Sequence, residues 1–105
     1  MEKIKKDEFV VLRTINKNPM FSQRDLAQTL GFSLGKLNYC IKVLKNKGLI
    51  KIQNFKKNKK KINYFYYLTP KGISTKIKIS LNFMKSIMKE YDELKNELKD
   101  ANDFK

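Results

Sequence analysis

The chain has 105 residues, the length of one ordinary domain, and carries 24 lysine and arginine residues against 10 acidic ones. The resulting net charge of +14 predicts a polyanionic partner. With no histidine and one cysteine, the chain cannot form an intramolecular disulfide, an ordinary zinc site or a histidine-dependent catalytic set. No glycine loop that could cradle a phosphate is present either. We therefore expect a protein that is not an enzyme and uses no metal or other cofactor.

The basic charge is concentrated in the centre of the chain. Between Asp25 and Glu90 there are fifteen lysines and no acidic residue, whereas the last seventeen residues hold six acids and four lysines. A solvated surface usually mixes both signs, so the centre is predicted to bind a polyanion. No apolar run approaches the roughly 20 residues of a membrane span, and the N-terminus lacks a signal peptide's apolar core. A single cysteine suits a reducing compartment, and we expect a cytoplasmic protein.

Three short helices are predicted in the first half of the chain. Residues 5–16 have one apolar face, and Ser22 is a good N-cap for a second helix of about nine residues that ends at Gly31. Ser33 caps a third helix, which Gly48 ends. Two short helices joined through a glycine are typical of a helix-turn-helix. The apolar positions at helical spacing are Phe9, Val11, Leu12 and Ile15, then Leu26, Ala27 and Leu30, then Leu34, Leu37, Cys40, Ile41 and Leu44.

A hairpin and one long helix are predicted in the second half. A strand from Leu49 leads into a basic turn over residues 56–61, and Ile62–Leu68 is a second strand rich in aromatic residues. Thr69 and Pro70 then begin a helix of nearly thirty residues, about 45 Å long. Such a helix is too long to pack wholly on so small a domain, so its apolar seam is predicted to pair with a second copy. After Ile73, the seam consists of the residues to which we assign dimerisation: Ile77, Leu81, Met84, Met88, Tyr91, Leu94 and Leu98.

These elements predict a mostly α fold with a small β-hairpin. Residues 1–69 would form a winged helix-turn-helix domain that binds DNA, and residues 70–105 a long C-terminal dimerisation helix and tail. Two-fold pairing would place two recognition helices in successive major grooves of an inverted repeat, about 34 Å apart.

The recognition helix, about residues 33–47, is predicted to enter the major groove with its N-terminal part nearest the base edges. Ser33 and Gly35 are small enough to let the backbone approach a phosphate, and asparagine and lysine can read adenine and guanine edges. The wing lysines would contact the DNA backbone or the minor groove, and so supply affinity more than sequence choice. The predicted DNA contacts on the recognition helix are Ser33, Gly35, Lys36, Asn38, Tyr39 and Lys42. The residues predicted to contact the DNA backbone or the minor groove are Arg24 and the wing residues Lys56, Lys57, Lys59, Lys60 and Lys61.

Several segments resemble one known family. The runs 22–27, 30–40, 47–51, 54–56 and 64–73 are similar to small MarR-type winged helix-turn-helix regulators associated with exopolysaccharide gene clusters. The stretch Leu-Gly-Lys-Leu-Asn-Tyr-Cys, residues 34–40, is the most distinctive. The resemblance covers about residues 8–98 and implies a homodimeric transcription factor, for which exopolysaccharide genes are candidate targets.

Four alternatives remain open at this point. The fold could serve as an adaptor that binds RNA or a partner protein through its basic face. The aromatic run 64–67 could stack on bases, although packing of alternate residues against the helices is favoured. Cys40 could sense redox state, although its apolar neighbours along the helix indicate a buried side chain. The last helix could lie on a membrane, but its polar face carries Glu90 and Glu97, the wrong charge for anionic lipid.

Overall fold

The fold consists of three short helices, an antiparallel hairpin and one long helix. The computed structural model describes residues 3–58 and 61–103, with side chains described for 3–54 and 64–101. This architecture confirms the predicted fold class. In chain order the elements are α1 (Lys6–Lys17), α2 (Gln23–Leu30), α3 (Leu34–Asn46), β1 (Ile50–Asn58), β2 (Lys61–Leu68) and α4 (Pro70–Asp103).

The two helices of the helix-turn-helix begin and end at the predicted residues. The Ser22 hydroxyl accepts a hydrogen bond from the Asp25 N–H at 3.1 Å, and the Asp25 carboxylate accepts from the Ser22 N–H at 3.0 Å. Hydrogen bonding of the Asp25 carboxylate to the Ser22 backbone, and then to the Ser22 side chain, holds the pKa of Asp25 below its usual value. At the C-terminal ends, Gly31 and Gly48 adopt φ of 69° and 71°, a left-handed conformation that glycine reaches without steric cost.

The hydrophobic core lies where α1, α2, α3 and the base of the hairpin meet. Apolar residues of one face of each helix are buried there, as their spacing predicts. Leu34 is an exception: we expected it in the buried stripe of α3, yet it is 49% exposed. As the first residue of α3, it lies at the edge of the apolar face. The buried core consists of Val11, Leu12, Ile15, Leu26, Ala27, Leu37, Cys40, Ile41, Leu44, Leu49, Ile50, Tyr66 and Leu68.

The hairpin buries one face and exposes the other. Ile50 pairs with Leu68 and Ile52 with Tyr66, and these four side chains lie on the core face. The strands also extend further than expected, because Lys56 and Asn58 still belong to β1 and pair across a register shift with residues of β2. The expected basic turn over 56–61 was therefore too long. An antiparallel ladder bonds backbone groups whatever the side chain, which overrides the weak strand preference of lysine and asparagine.

The junction between the hairpin and α4 is tightly packed. The Thr69 hydroxyl donates to the Gly48 carbonyl at 2.6 Å and accepts from the Gly72 N–H at 3.0 Å, and so caps α4. The Thr69 N–H donates to the Leu49 carbonyl at 3.0 Å. A Cβ atom on Gly72 would lie only 2.0 Å from that same Leu49 oxygen. The first turn of α4 is therefore held against the turn that follows α3, and this contact sets the direction of the helix.

Beyond its first three turns, α4 leaves the rest of the protein. It has 34 residues, four or more beyond the expected length, and every described side chain from Leu81 onward is exposed. The radius of gyration is 18.9 Å, against about 13 Å for a compact domain of this size. Within the described residues, no helix is long and apolar enough to cross a membrane.

Candidate nucleic-acid interface

An exposed strip runs along the face of α3 opposite the core. Residues of a helix advance by about 100°, so positions four, seven and eleven apart return to nearly the same side. The strip contains no acidic residue, and Tyr39 at its centre is 58% exposed. Of the predicted contacts on the recognition helix, three lie on it. We call this surface the outer strip, and it consists of Gly35, Tyr39, Lys42 and Asn46.

Lys36, another predicted contact, lies on the flank of α3 that faces α1. Its ammonium nitrogen is 3.1 Å from the Asp7 carboxylate and 4.2 Å from the centroid of the Phe32 ring. Both partners of the ion pair are about half exposed, so the pair contributes little to stability. The ion pair matters instead for the position of the charge, because it holds the ammonium group of Lys36 beside an acid of α1.

This pairing predicts unequal effects of two matched substitutions. Lys36→Gln and Lys42→Gln each remove one charge from α3, but only Lys42 belongs to the outer strip. We expect Lys42→Gln to weaken duplex DNA binding by about tenfold at low salt and to reduce the slope of log K against log salt by about 1. Lys36→Gln should weaken binding by less than about threefold. Titration at several salt concentrations measures both, and a larger loss for Lys36→Gln would contradict the assignment.

The other flank of α3 faces α2 and the hairpin. The Gln23 side-chain amide, at the start of α2, donates to the Asn38 side-chain oxygen. This bond holds the side chain of Asn38, a predicted DNA contact, against α2. Lys45, seven residues further along the same flank, was missing from the predicted site. Because residues seven apart lie on the same side of a helix, its spacing from Asn38 could have predicted it. Lys45 lines a shallow groove between α3 and the hairpin, together with Gln23, Ile52, Asn54, Tyr64 and Tyr66.

The aromatic run of β2 divides between the core and the surface. Tyr66 is buried, as expected from alternate packing, and burial raises the pKa of its hydroxyl. Tyr64 is half exposed and lies in the groove beside Lys45.

Cys40 is buried in the core, which confirms the expectation from its position on the apolar face of α3. Burial raises the pKa of its thiol, and the negative charges of Glu8 and Asp7 raise it further. Reactive thiols are exposed and have a lowered pKa, so both properties oppose redox sensing. Glu8 itself is a buried acid on α1. Its carboxylate accepts a hydrogen bond from the Lys5 N–H at 3.0 Å, at the start of α1.

The remaining predicted contacts lie around this surface. Ser33 is exposed, and its hydroxyl accepts from the Lys36 N–H at 3.1 Å as the cap of α3. Arg24 is exposed in the first turn of α2. In the wing, Lys59 and Lys60 lie outside the described residues. The side chains of Lys56, Lys57 and Lys61 also lie outside the described part of the chain, whereas their backbones belong to the two strands.

The residues assigned to dimerisation are all exposed on α4. Their exposed fractions range from 51% at Leu81 to 68% at Leu98. Two members of this face, Phe83 and Ile87, lie outside the predicted seam, which is a single narrow line of residues. Both are exposed, and they widen the apolar face on one side.

No group of acids and cysteine among the described side chains is arranged to hold a metal ion.

Residues 8–51 match the family model described as winged helix-turn-helix DNA-binding. This span covers almost all of α1, then α2 and α3, and reaches the start of β1. No curated protein sequence matches the chain significantly. The fold and this match define the architecture of the domain, a winged helix-turn-helix.

Solved structures extend the likeness to the long helix. Staphylococcus aureus MarR in complex with salicylate and kanamycin superposes with a TM-score of 0.74 at 21% identity, over 86% of this chain and 59% of that one. Streptococcus pneumoniae FabT in complex with DNA gives 0.68 at 20% identity, over 87% and 62%. A mutant of E. coli MarR complexed with operator DNA gives 0.60 at 24% identity, over 69% and 50%. The chain therefore has the MarR-like winged-helix fold, and spans about three-fifths of the length of the first two proteins.

Proposed function

We propose that the protein is a transcriptional regulator that binds double-stranded DNA in a sequence-specific manner. The observation that carries the proposal is the outer strip of α3, an exposed and acid-free surface on the second helix of a helix-turn-helix. In this class of domain that helix lies in the major groove. Lys42 and Asn46 can donate hydrogen bonds to base edges, and Tyr39 offers both a hydroxyl and an apolar ring.

The groove beside α3 supports a second set of contacts along the DNA backbone. Lys45 provides a positive charge there, and Gln23 and Asn54 provide amide donors at the same edge. The sequence holds five more lysines within residues 56–61, and we propose that they bind the DNA backbone as well. Contacts of this kind fix the position of the protein on the duplex, and the outer strip then reads the sequence.

We further propose a homodimer that binds an inverted repeat through two copies of the winged helix-turn-helix, residues 1–69, joined by residues 70–105. The exposed apolar face of α4 supports this, because a monomer would leave it in water. We place the regulator in the cytoplasm, without catalytic activity, and propose exopolysaccharide genes as its targets on the sequence resemblance alone. Recovery of its operator upstream of unrelated genes only would contradict that last assignment.

Tyr39→Ala should separate specific from non-specific binding. Because the ring projects from the centre of the outer strip, we expect affinity for the operator to fall by about 10- to 100-fold. Affinity for scrambled duplex should fall by less than about threefold, since phosphate contacts dominate there. Tyr67→Ala, at an exposed tyrosine of β2 outside the groove, is the matched control and should leave both affinities unchanged. Equal losses on the two duplexes would remove Tyr39 from the reading surface.

The decisive experiment selects bound sequences from a random duplex pool and then measures anisotropy with the selected duplex, scrambled duplex and single-stranded RNA. An inverted-repeat motif bound at least about a thousandfold more tightly than scrambled duplex would support the proposal. Weak and equal binding to all three, abolished by modest salt, would overturn it and favour an adaptor that binds a partner protein. Preference for the RNA would favour an RNA-binding adaptor.

A further inference from the structure

The charges of α4 are separated along its length. Residues 70–89 carry five lysines and no acidic residue, whereas residues 90–103 carry six acidic residues and two lysines. The apolar face runs through both halves, and its large side chains are exposed from Ile73 to Leu98. The change of sign falls between Lys89 and Glu90, in the exposed part of the helix. Each half of α4 is therefore complementary in charge to the other half and not to itself.

Two copies of α4 can pair side by side in only two directions. In a parallel pair, the basic halves lie beside each other and so do the acidic halves, so the net charge of each half repels the same half of the second copy. In an antiparallel pair, opposite signs lie together at both ends. We infer that two copies of α4 pack antiparallel, with the two-fold axis between Met84 and Tyr91, so that each basic half lies along its partner's acidic half. This inference rests on the proposed homodimer and adds its geometry.

One edge of the apolar face provides a specific pair of charges. Lys85 and Asp92 are exposed and seven residues apart, nearly two helical turns, so they flank the same side of the face. A two-fold axis perpendicular to the helices brings this edge against the same edge of the second copy. With the axis midway between the two positions, Lys85 lies beside Asp92 of the partner subunit, and the reverse pair forms by symmetry.

The direction of pairing also fixes the distance between the two winged domains. In an antiparallel pair the two starts of α4 are about 50 Å apart, because each lies about 18 residues from the axis at 1.5 Å per residue. In a parallel pair they would be about 10 Å apart, the distance between packed helices. The close contact of Gly72 with Leu49 then transmits this separation to the winged domains.

Distances between spin labels test the direction. In a Cys40→Ala background, a label is attached at Ser74→Cys in one variant and at Lys99→Cys in another, both at exposed positions. Double electron–electron resonance spectroscopy should give a distance of about 40 Å between the two labels at position 74 and about 35 Å between the two labels at position 99. Dimers with both distances under about 20 Å would overturn the inference and leave the dimer standing. Wild-type protein without a label that sediments as a monomer would overturn both.

A charge swap tests the edge pair without labels. We expect Asp92→Lys and Lys85→Asp each to weaken dimer association about threefold to tenfold, and the double variant to recover most of the loss. Glu93→Lys makes the same change of charge on the outward side of α4 and should alter association by less than about twofold. Additive losses in the double variant would overturn the antiparallel pairing of these residues.

Discussion

Replacing the centre of the apolar face with polar side chains should convert the proposed dimer to a monomer. The variant Leu81→Gln/Met84→Gln/Met88→Gln keeps good helix formers in α4 but removes three apolar side chains from each copy, all more than half exposed in the single chain. At roughly 1 kcal/mol for each of the six side chains buried in a dimer, association weakens by about 6 kcal/mol, or about 10⁴-fold in Kd. Sedimentation velocity from micromolar concentrations upward measures this directly.

A control variant on the outward side of α4 separates loss of the face from general effects. Asn82→Gln, Ser86→Gln and Glu93→Gln together make the same number of changes at exposed positions away from the apolar face. This variant should sediment as the wild-type protein does. A dimeric Leu81/Met84/Met88 variant would show that another surface holds the two copies together, and the proposed dimerisation helix would then be wrong.

Gly72→Ala should strongly destabilise the protein. The new Cβ would lie 2.0 Å from the Leu49 carbonyl oxygen and 2.9 Å from its carbonyl carbon, and these backbone atoms cannot rotate away as a flexible side chain could. Either α4 moves off the turn after α3 or the turn itself distorts, and both lose the Thr69 cap. We expect a loss of about 3 kcal/mol in the free energy of unfolding and a fall in Tm of about 15 °C.

Gly35→Ala is the matched control because it is the same substitution inside another helix. A Cβ at Gly35 meets no heavy atom within 4 Å. Alanine there removes backbone freedom from the unfolded chain and should stabilise the protein by about 0.5–1 kcal/mol. Denaturant titrations of both variants at one fixed protein concentration give the two values. Shifts of the same sign and size would show that Gly72 is not a point of close approach.

The local features of this fold could be predicted because short stretches of sequence specify them. The caps at Ser22 and Ser33 depend on side chains within three residues of the backbone groups that they bond. The ends of the same helices depend on single glycines that reach positive φ. The distribution of charge, and the apolar spacing of α4, are likewise properties of the chain itself.

The candidate site was predicted less completely. The spacing of apolar residues predicts a helix, but it does not predict how that helix is rotated against its neighbours. Lys36 and Lys42 look equivalent in the sequence, yet only Lys36 meets an acid of α1, twenty-nine positions earlier. Lys45 was overlooked because its importance depends on the hairpin that forms the other wall of the groove.

The sequence by itself therefore determined the order of elements, the buried stripes of the helices, the basic centre and the long C-terminal helix. Each follows from periodicity, capping or charge within a few turns of chain. Only the tertiary structure decided that Gly72 lies against Leu49, that Lys36 faces Asp7 and that Leu34 stays at the surface. These contacts and exposures depend on the packing of elements that are distant in the chain. The angle between two packed elements, and not the identity of either residue, determines what each side chain contacts.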